Sequence, residues 1–271
     1  MSSHESRHAI VTGASSGIGH AAALALREAG YSVTGTCRDP ALLDDAKRIP
    51  GVDYQSLDLT DATSIQRFVD SIHAVSVLVN NAGESQCGAI EDTPIADIRR
   101  LFEINVFGTI HLTQLLLPQL RQSERGRIIM VGSMLAGFPL AFRGSYVASK
   151  AAIRGFAESA RNELRPFGVA VAVIEPGSTT TGISARRTKY SSGDSLYERD
   201  YNTVITALDR HEAHGVAASA VAQQIVRAVT STSPKNLYTI GSQARILYAL
   251  KRLLPTSWIN TIVHRRHGIS R

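Results

Sequence analysis

Short, continuously apolar runs alternate with longer helix-period stretches from one end of this 271-residue chain to the other. His8–Thr12 reads as a buried strand, followed by a glycine-rich segment and an Ala/Leu-rich helix from about Ile18 to Ala29. Further strands are expected at Tyr31–Thr36, Val52–Leu57, Val75–Asn80, Arg127–Gly132, Val169–Ile174 and Leu237–Ile240. Helices are expected at about Thr60–His73, Ile95–Leu120 and Ser145–Arg165. Strands without polar alternation are buried on both faces, which indicates a parallel sheet covered by helices. Right-handed crossovers then give a doubly wound, Rossmann-type α/β fold with seven parallel strands and helices on both faces. No repeat, low-complexity tract or linker divides the sequence, so residues 1–271 are expected to form one domain.

Two regions leave that rhythm. Residues 178–215 are polar, rich in Ser, Thr, Arg and Tyr with few core positions, and a stretch of that length usually serves as a lid or substrate loop. Residues 243–271 read as two short amphipathic helices split at Pro255. Ile246, Leu247, Leu250, Leu253 and Leu254 lie on one side of the first, and Trp258, Ile259, Ile262 and Val263 on one side of the second. Lys251, Arg252, Arg265 and Arg266 flank them. Basic amphipathic helices bind anionic membrane surfaces. More often they cover a pocket or a subunit interface, so peripheral membrane contact through the tail is the lesser expectation.

Composition narrows the function classes. With 44% hydrophobic and 19% charged residues, the chain suits one globular domain. No run approaches 18 uninterrupted apolar residues and the N-terminus shows no apolar signal region, which points to the cytoplasm. Cys37 and Cys87 offer neither a disulfide framework nor metal-ligand spacing, and the nine histidines form no ligand motif, so no metal is expected. The net charge of +6 fits an anionic cofactor or substrate, while nothing resembles a nucleic-acid-binding module.

The segment Thr12-Gly-Ala-Ser-Ser-Gly-Ile-Gly19 lies where the first strand turns into the first helix. Gly13 permits the turn, Gly17 lets a pyrophosphate approach the backbone, and Gly19 allows close packing of helix on sheet. Phosphate charge meets the open N–H groups of the helix N-terminus, so Gly13, Ser15, Ser16, Gly17, Ile18 and Gly19 are assigned to a dinucleotide. The second strand ends Gly35-Thr36-Cys37-Arg38, with no carboxylate to accept a ribose 2′-hydroxyl. Arg38 suits a 2′-phosphate, which favours NADP(H) and leaves NAD(H) possible; the plainer alternative is a solvated arginine paired with Asp39.

Tyr146 and Lys150 stand four residues apart in Gly144-Ser-Tyr-Val-Ala-Ser-Lys-Ala-Ala152. On a helix they share a face, roughly 6 Å apart along the axis. A phenol ionises near 10 and is a poor base at neutral pH. At that separation and an effective dielectric near 20, an ammonium stabilises phenolate by roughly 3 kcal/mol, or about two pKa units. The pair then suits proton exchange with an alcohol or carbonyl. Alone, such spacing also arises by chance in many helices.

Together these segments resemble the short-chain dehydrogenase/reductase family, and the similarity runs from residue 8 to about 240. Thr12–Gly19 matches the family's TGxxxGxG, Asp58-Leu59 its adenine-contacting pair, and Asn80-Asn-Ala-Gly83 its NNAG motif. Asn105, Ser133, Tyr146 and Lys150 match its catalytic tetrad, and Pro176-Gly177 with Thr181 match the segment bordering the nicotinamide. The resemblance implies cofactor contacts from Asp58, Leu59, Asn81, Ala82, Gly83, Pro176, Gly177, Thr179 and Thr181, with Asn81 acting through its backbone. Thr179 departs from the apolar residue that the family often carries. It further implies that Tyr146 exchanges a proton with the substrate oxygen while Ser133 hydrogen-bonds that oxygen. Lys150 would lower the phenol pKa and hold the nicotinamide ribose, and Asn105 would keep a water in the relay. Each position also has a plainer role: Asn80 or Asn81 can finish a strand, and Ser133 can cap the next segment.

Within the family, Arg38-Asp39, Glu175–Gly182 and the tail resemble the branch of 17β-hydroxysteroid and retinol dehydrogenases and acyl-dihydroxyacetone-phosphate reductases. That likeness fits a bulky, apolar small-molecule carbonyl or alcohol substrate, and the family resemblance implies a homodimer or homotetramer built on the helices near 95–120 and 145–165. Two other readings stay open: a 3-oxoacyl-thioester reductase, and a cofactor-bound regulator or scaffold without catalysis.

Overall fold

The computed structural model describes residues 7–191 and 193–269. Residues 1–6, 192, 270 and 271, on which parts of the N-terminal, lid and tail expectations fall, lie outside the described residues. Seven strands form one parallel sheet: β1 (His8–Val11), β2 (Ser32–Cys37), β3 (Val52–Ser56), β4 (Val77–Asn80), β5 (Arg127–Val131), β6 (Ala170–Pro176) and β7 (Leu237–Ile240). Their order is β7-β6-β5-β4-β1-β2-β3, so the chain reverses direction across the sheet between β1 and β4. The expected seven-stranded, doubly wound α/β fold is what forms.

The helices are α1 (Gly17–Glu28), α2 (Ala62–Asp70), α3 (Ile95–Phe102), α4 (Gly108–Gln122), α5 (Gly144–Leu164), α6 (Ile183–Arg186), α7 (Glu198–Ala213), α8 (Ala218–Thr230), α9 (Ala244–Leu253) and α10 (Thr256–Arg266). Adjacent residues of each central strand feed opposite cores. Ile10, Leu78 and Ile128 pack with Phe68, Leu112 and Ile153 on one face, while Val11, Val79 and Ile129 pack with Leu26, Val221 and Ile225 on the other. That two-sided burial is why the strands lack polar alternation.

Two expectations need correction. The single helix foreseen over 95–120 is interrupted by a π-helical turn at Glu103–Phe107. The 178–215 segment is not short of core positions either. Tyr201, Val204, Ile205 and Leu208 of α7 are buried, and with Cys87, Met134, Phe138, Leu140, Ala244, Ile259 and Val263 they build a third apolar cluster apart from the sheet. The lid also carries two short parallel pairings, Gln86–Gly88 with Thr188–Tyr190 and Thr179–Thr180 with Val216–Ala217.

At the switch between β1 and β4, helix and sheet approach very closely. A Cβ on Gly19 would overlap the Gly13 carbonyl oxygen and the Asn81 side-chain nitrogen, both held by the surrounding backbone. Gly19→Ala is therefore expected to cost about 1–3 kcal/mol by overpacking. A lower urea midpoint with an unchanged m-value would show it, and an unshifted midpoint would contradict this packing.

Candidate active site

The cofactor-like end is built by interlocking β1 and β4. Thr12 Oγ1 accepts from the backbone N–H groups of Asn81 and Ala82, each at 2.9 Å. Asn81 Nδ2 in return donates to the carbonyls of Thr12 at 2.8 Å and Gly13 at 3.3 Å. The side chain of Asn81 is thus spent on the turn, which leaves its backbone to face the cavity. Asn80 points the other way and donates to Thr113 Oγ1 at 2.9 Å. Gly13 and Gly17 hold φ of 67° and 58°, values that disfavour any side chain. Ser16 occupies the N-cap of α1 without a side-chain capping bond, so the first N–H groups of the helix have no local acceptor there.

One cavity of about 720 Å³ runs from this turn past the carboxyl ends of the strands. It brings together Gly13, Ser15, Ser16, Gly17, Ile18 and Arg38 with Asp58, Leu59, Asn81, Ala82 and Gly83. The same cavity holds Ser133, Tyr146, Lys150, Pro176, Gly177, Thr179 and Thr181. Gly19 and Asn105 stand behind the wall and do not line it. Gly19 is a packing position.

Arg38 is 73% exposed, and its nearest carboxylate is Glu84 at 3.9 Å, a group bound more tightly by Arg100 at 2.6 Å. The alternative pairing with Asp39 does not form, because Asp39 caps the next turn by accepting from Ala41 N–H. Asp58 accepts from the N–H and hydroxyl of Thr60 at 2.8 and 2.7 Å, and these bonds hold its carboxyl below the usual range.

Further along the cavity, α5 presents Tyr146 and Lys150, both buried. Lys150 Nζ donates to the Val131 carbonyl at 3.0 Å and lies 6.0 Å from the Tyr146 ring centroid. Burial lowers its pKa to about 8, so it stays mostly protonated at neutral pH. The expected lowering of the phenol by Lys150 is not found. Burial pushes the Tyr146 phenol above its ordinary value, opposed first by the charge of Arg143 and then by a hydrogen bond with Ser133. Ser133 Oγ accepts from Leu135 N–H at 3.2 Å, so the capping role is present.

Asn105 sits in the π-helical turn. Its side chain accepts from Glu84 N–H at 2.8 Å and donates to the Glu84 carbonyl and Ser149 hydroxyl, each at 3.1 Å. The amide is fully engaged in shaping the chain after Gly83. An extra backbone residue in a helix, held in this way, is a recurrent device near functional sites.

Arg143 belongs to none of the motifs in the sequence. It is only 2% exposed, and its guanidinium lies over the Tyr146 ring with Cζ 4.4 Å from the centroid. One nitrogen donates to Ser85 Oγ at 3.0 Å, while Nε and Nη1 have no hydrogen-bond partner among the described residues. Nearby Arg187, also buried, is neutralised by Asp209 at 2.6 Å and Glu212 at 2.5 Å. Among the described residues no carboxylate forms an ion pair with Arg143, so the electron-rich face of Tyr146 is its principal counterpart. Its place three residues before the tyrosine, on the N-cap of α5, is the only signal the sequence offers.

Distant segments complete the cavity: Met134, Phe138, Leu208, Leu247 and Val263 supply apolar lining, beside His211, Glu212, Arg266 and His267. The tail is latched there. Tyr248 donates to the buried carboxylate of Glu175, and Lys251 donates to the Gly137 carbonyl at 2.6 Å. The tail therefore walls the cavity, which answers one of the roles expected for it.

Residues 7–191 match the family model described as short chain dehydrogenase. The chain is 36% identical to the uncharacterized oxidoreductase YusZ of Bacillus subtilis, over 95% of this chain and 97% of that one. It is 32% identical to the NADPH-dependent 3-dehydrocapnine reductase of Ornithobacterium rhinotracheale, over 96% of each. The solved structure of a short-chain dehydrogenase from Streptomyces avermitilis superposes with a TM-score of 0.80 at 31% identity, covering 94% of this chain and 97% of that one. With its sheet order, its glycine turn and these likenesses in agreement, the chain belongs to the short-chain dehydrogenase/reductase family of oxidoreductases.

Proposed function

We propose that the protein is an NADP(H)-dependent oxidoreductase that interconverts a carbonyl and an alcohol on an apolar substrate. The observation that carries this reading is a single cavity lined by the glycine turn, by Arg38 and by Ser133, Tyr146 and Lys150 together. The residues present fit the cofactor. The uncapped first turn of α1 suits a pyrophosphate, and a Cβ at Gly17 would press against Thr181 across the cradle. Arg38, exposed and weakly paired, suits a 2′-phosphate. A relative whose name includes NADPH dependence supports the same choice.

When bound, the nicotinamide supplies hydride exchange with the substrate carbon. The chain's own groups handle the oxygen. Tyr146 Oη gives a proton to it during reduction and takes one during oxidation. Ser133 Oγ donates a hydrogen bond that steadies developing charge on the same oxygen. Lys150 keeps a cation at the cavity floor, fixed by Val131. Arg143 acts through Tyr146: its charge over the ring offsets part of the cost that burial imposes on phenolate. The apolar lining from Met134, Phe138, Leu208, Leu247 and Val263 supports a hydrophobic substrate. Exposed Phe107 and Phe156, on the elements named for subunit contact, support an oligomer.

The primary test is an NADPH-consumption screen across ketosteroids, retinal and acyl ketones, where no turnover of any member would count against the reading. Tyr146→Phe is expected to lower turnover by about 10²–10⁴-fold while NADPH still binds by fluorescence titration. Arg38→Ala should weaken NADPH by about 10- to 100-fold and NADH much less; equal losses in calorimetric titrations would remove the phosphate contact.

Arg143→Met tests the stacked cation. Alcohol oxidation needs Tyr146 unprotonated, so its rate climbs as pH rises through the phenol pKa. Removing a charge that lowers this pKa should move that limb upward by about one to two pH units. A limb that stays in place would exclude the electrostatic role.

A further inference from the structure

The whole net charge of the chain resides in its last 29 residues. Of 29 Lys and Arg against 23 Asp and Glu, six cations (Arg245, Lys251, Arg252, Arg265, Arg266 and Arg271) lie beyond residue 242, and no acidic residue accompanies them. The preceding 242 residues are therefore neutral in sum, with 23 of each sign.

The same segment exposes large apolar side chains. Leu253 is 80% exposed, Trp258 63%, Ile246 60% and Ile262 41%. Ile246 and Leu253 are two turns apart on α9, and Trp258 and Ile262 one turn apart on α10, so each pair shares a helical face. These are not the residues that dock the tail. That work falls to Tyr248 and Lys251 at the latch, and to Ile259 and Val263 in the third apolar cluster. Each tail helix thus has an inward apolar set and an outward one. Ile262 and Arg266 also line the cavity, so the outward surface runs to its mouth.

Three occupants compete for a surface that is both apolar and uniformly cationic. A nucleic acid would match the charge and leave Leu253 and Trp258 in water. A second copy, packed face to face about a two-fold axis, would set cationic tail against cationic tail. An anionic bilayer takes both features at once, with apolar residues entering the headgroup boundary and arginines meeting lipid phosphate. No helix among the described residues is long and apolar enough to cross a membrane, so the contact would be peripheral.

We propose that the outer face of α9 and α10 docks on an anionic lipid surface, with the mouth of the cavity turned toward the bilayer. The proposal concerns binding alone, so its test requires no turnover and stands or falls apart from the substrate reading. The full chain would be floated with vesicles of phosphatidylcholine alone or of phosphatidylcholine with roughly one-third phosphatidylglycerol, at low and high salt. Wild type is expected on the anionic vesicles at low salt and not on the neutral ones. The double variant Leu253→Glu/Trp258→Glu changes only exposed positions and should lose about tenfold or more of that binding. Its thermal midpoint and NADPH binding should stay unchanged. Arg252→Gln/Arg265→Gln should bind more weakly, with a shallower salt dependence.

Absence of wild-type flotation would overturn the proposal, as would equal flotation of the Glu variant. If the Glu variant instead disperses an oligomer in sedimentation velocity while vesicle binding persists, the face is a subunit contact. Binding to duplex DNA that matches vesicle binding and ignores the Glu substitutions would reduce it to a general attraction for polyanions.

Discussion

The interlock of Thr12 with Asn81 is the constraint on which the site depends. A parallel sheet buried on both faces has few places where backbone polar groups can meet a ligand. The carboxyl ends of its strands, at the point where strand order reverses, are the principal one. Here β1 and β4 are neighbours at that point, and four hydrogen bonds tie their ends together. The bonds hold Gly13 in its left-handed turn and seat α1 close enough that Gly19 tolerates no side chain. The open N–H groups of α1 and the backbone of Ala82 and Gly83 then face one cavity as a consequence of chain geometry.

Around Tyr146 and Lys150, burial and charge placement pull in opposite directions. Tyr146 and Lys150 are both buried, and burial favours the neutral form of each: the phenol rises and the ammonium falls to about 8. Charge is restored by placement. Arg187 has two carboxylates, whereas Arg143 has a serine hydroxyl and an aromatic face. Burying a guanidinium without a carboxylate partner is expensive. An arrangement that raises the energy of an uncompensated cation beside a phenol favours the state in which the phenol carries the opposite charge.

The sheet was legible in the sequence because every central strand is apolar on both faces, a pattern with little competition. The glycine turn and the Tyr146–Lys150 spacing were legible for a similar reason, since each demands particular residue types at fixed intervals. Other features were hidden by long-range packing. Tyr201, Val204, Ile205 and Leu208 follow helical spacing, yet they sit among Glu, Asp, Arg and Thr, so α7 read as a polar loop. The π-helical turn that holds Asn105 adds one residue to a helix whose periodicity otherwise continues on both sides. Arg143 lies in a segment with no strong pattern. Its importance comes from the ring it covers and the carboxylates it lacks, which are facts of three-dimensional arrangement.

The third apolar cluster divides the molecule's labour. Its members come from the neighbourhood of Cys87, from residues 134–140, from α7 and from the tail, and none belongs to the two clusters that sandwich the sheet. Leu208 and Val263 both shape the cavity wall and hold this cluster together. The glycine turn and the sheet beneath it draw their rigidity from other side chains. The side chains of that cluster, and the cavity wall they shape, can therefore change without disturbing the side chains that pack the glycine turn.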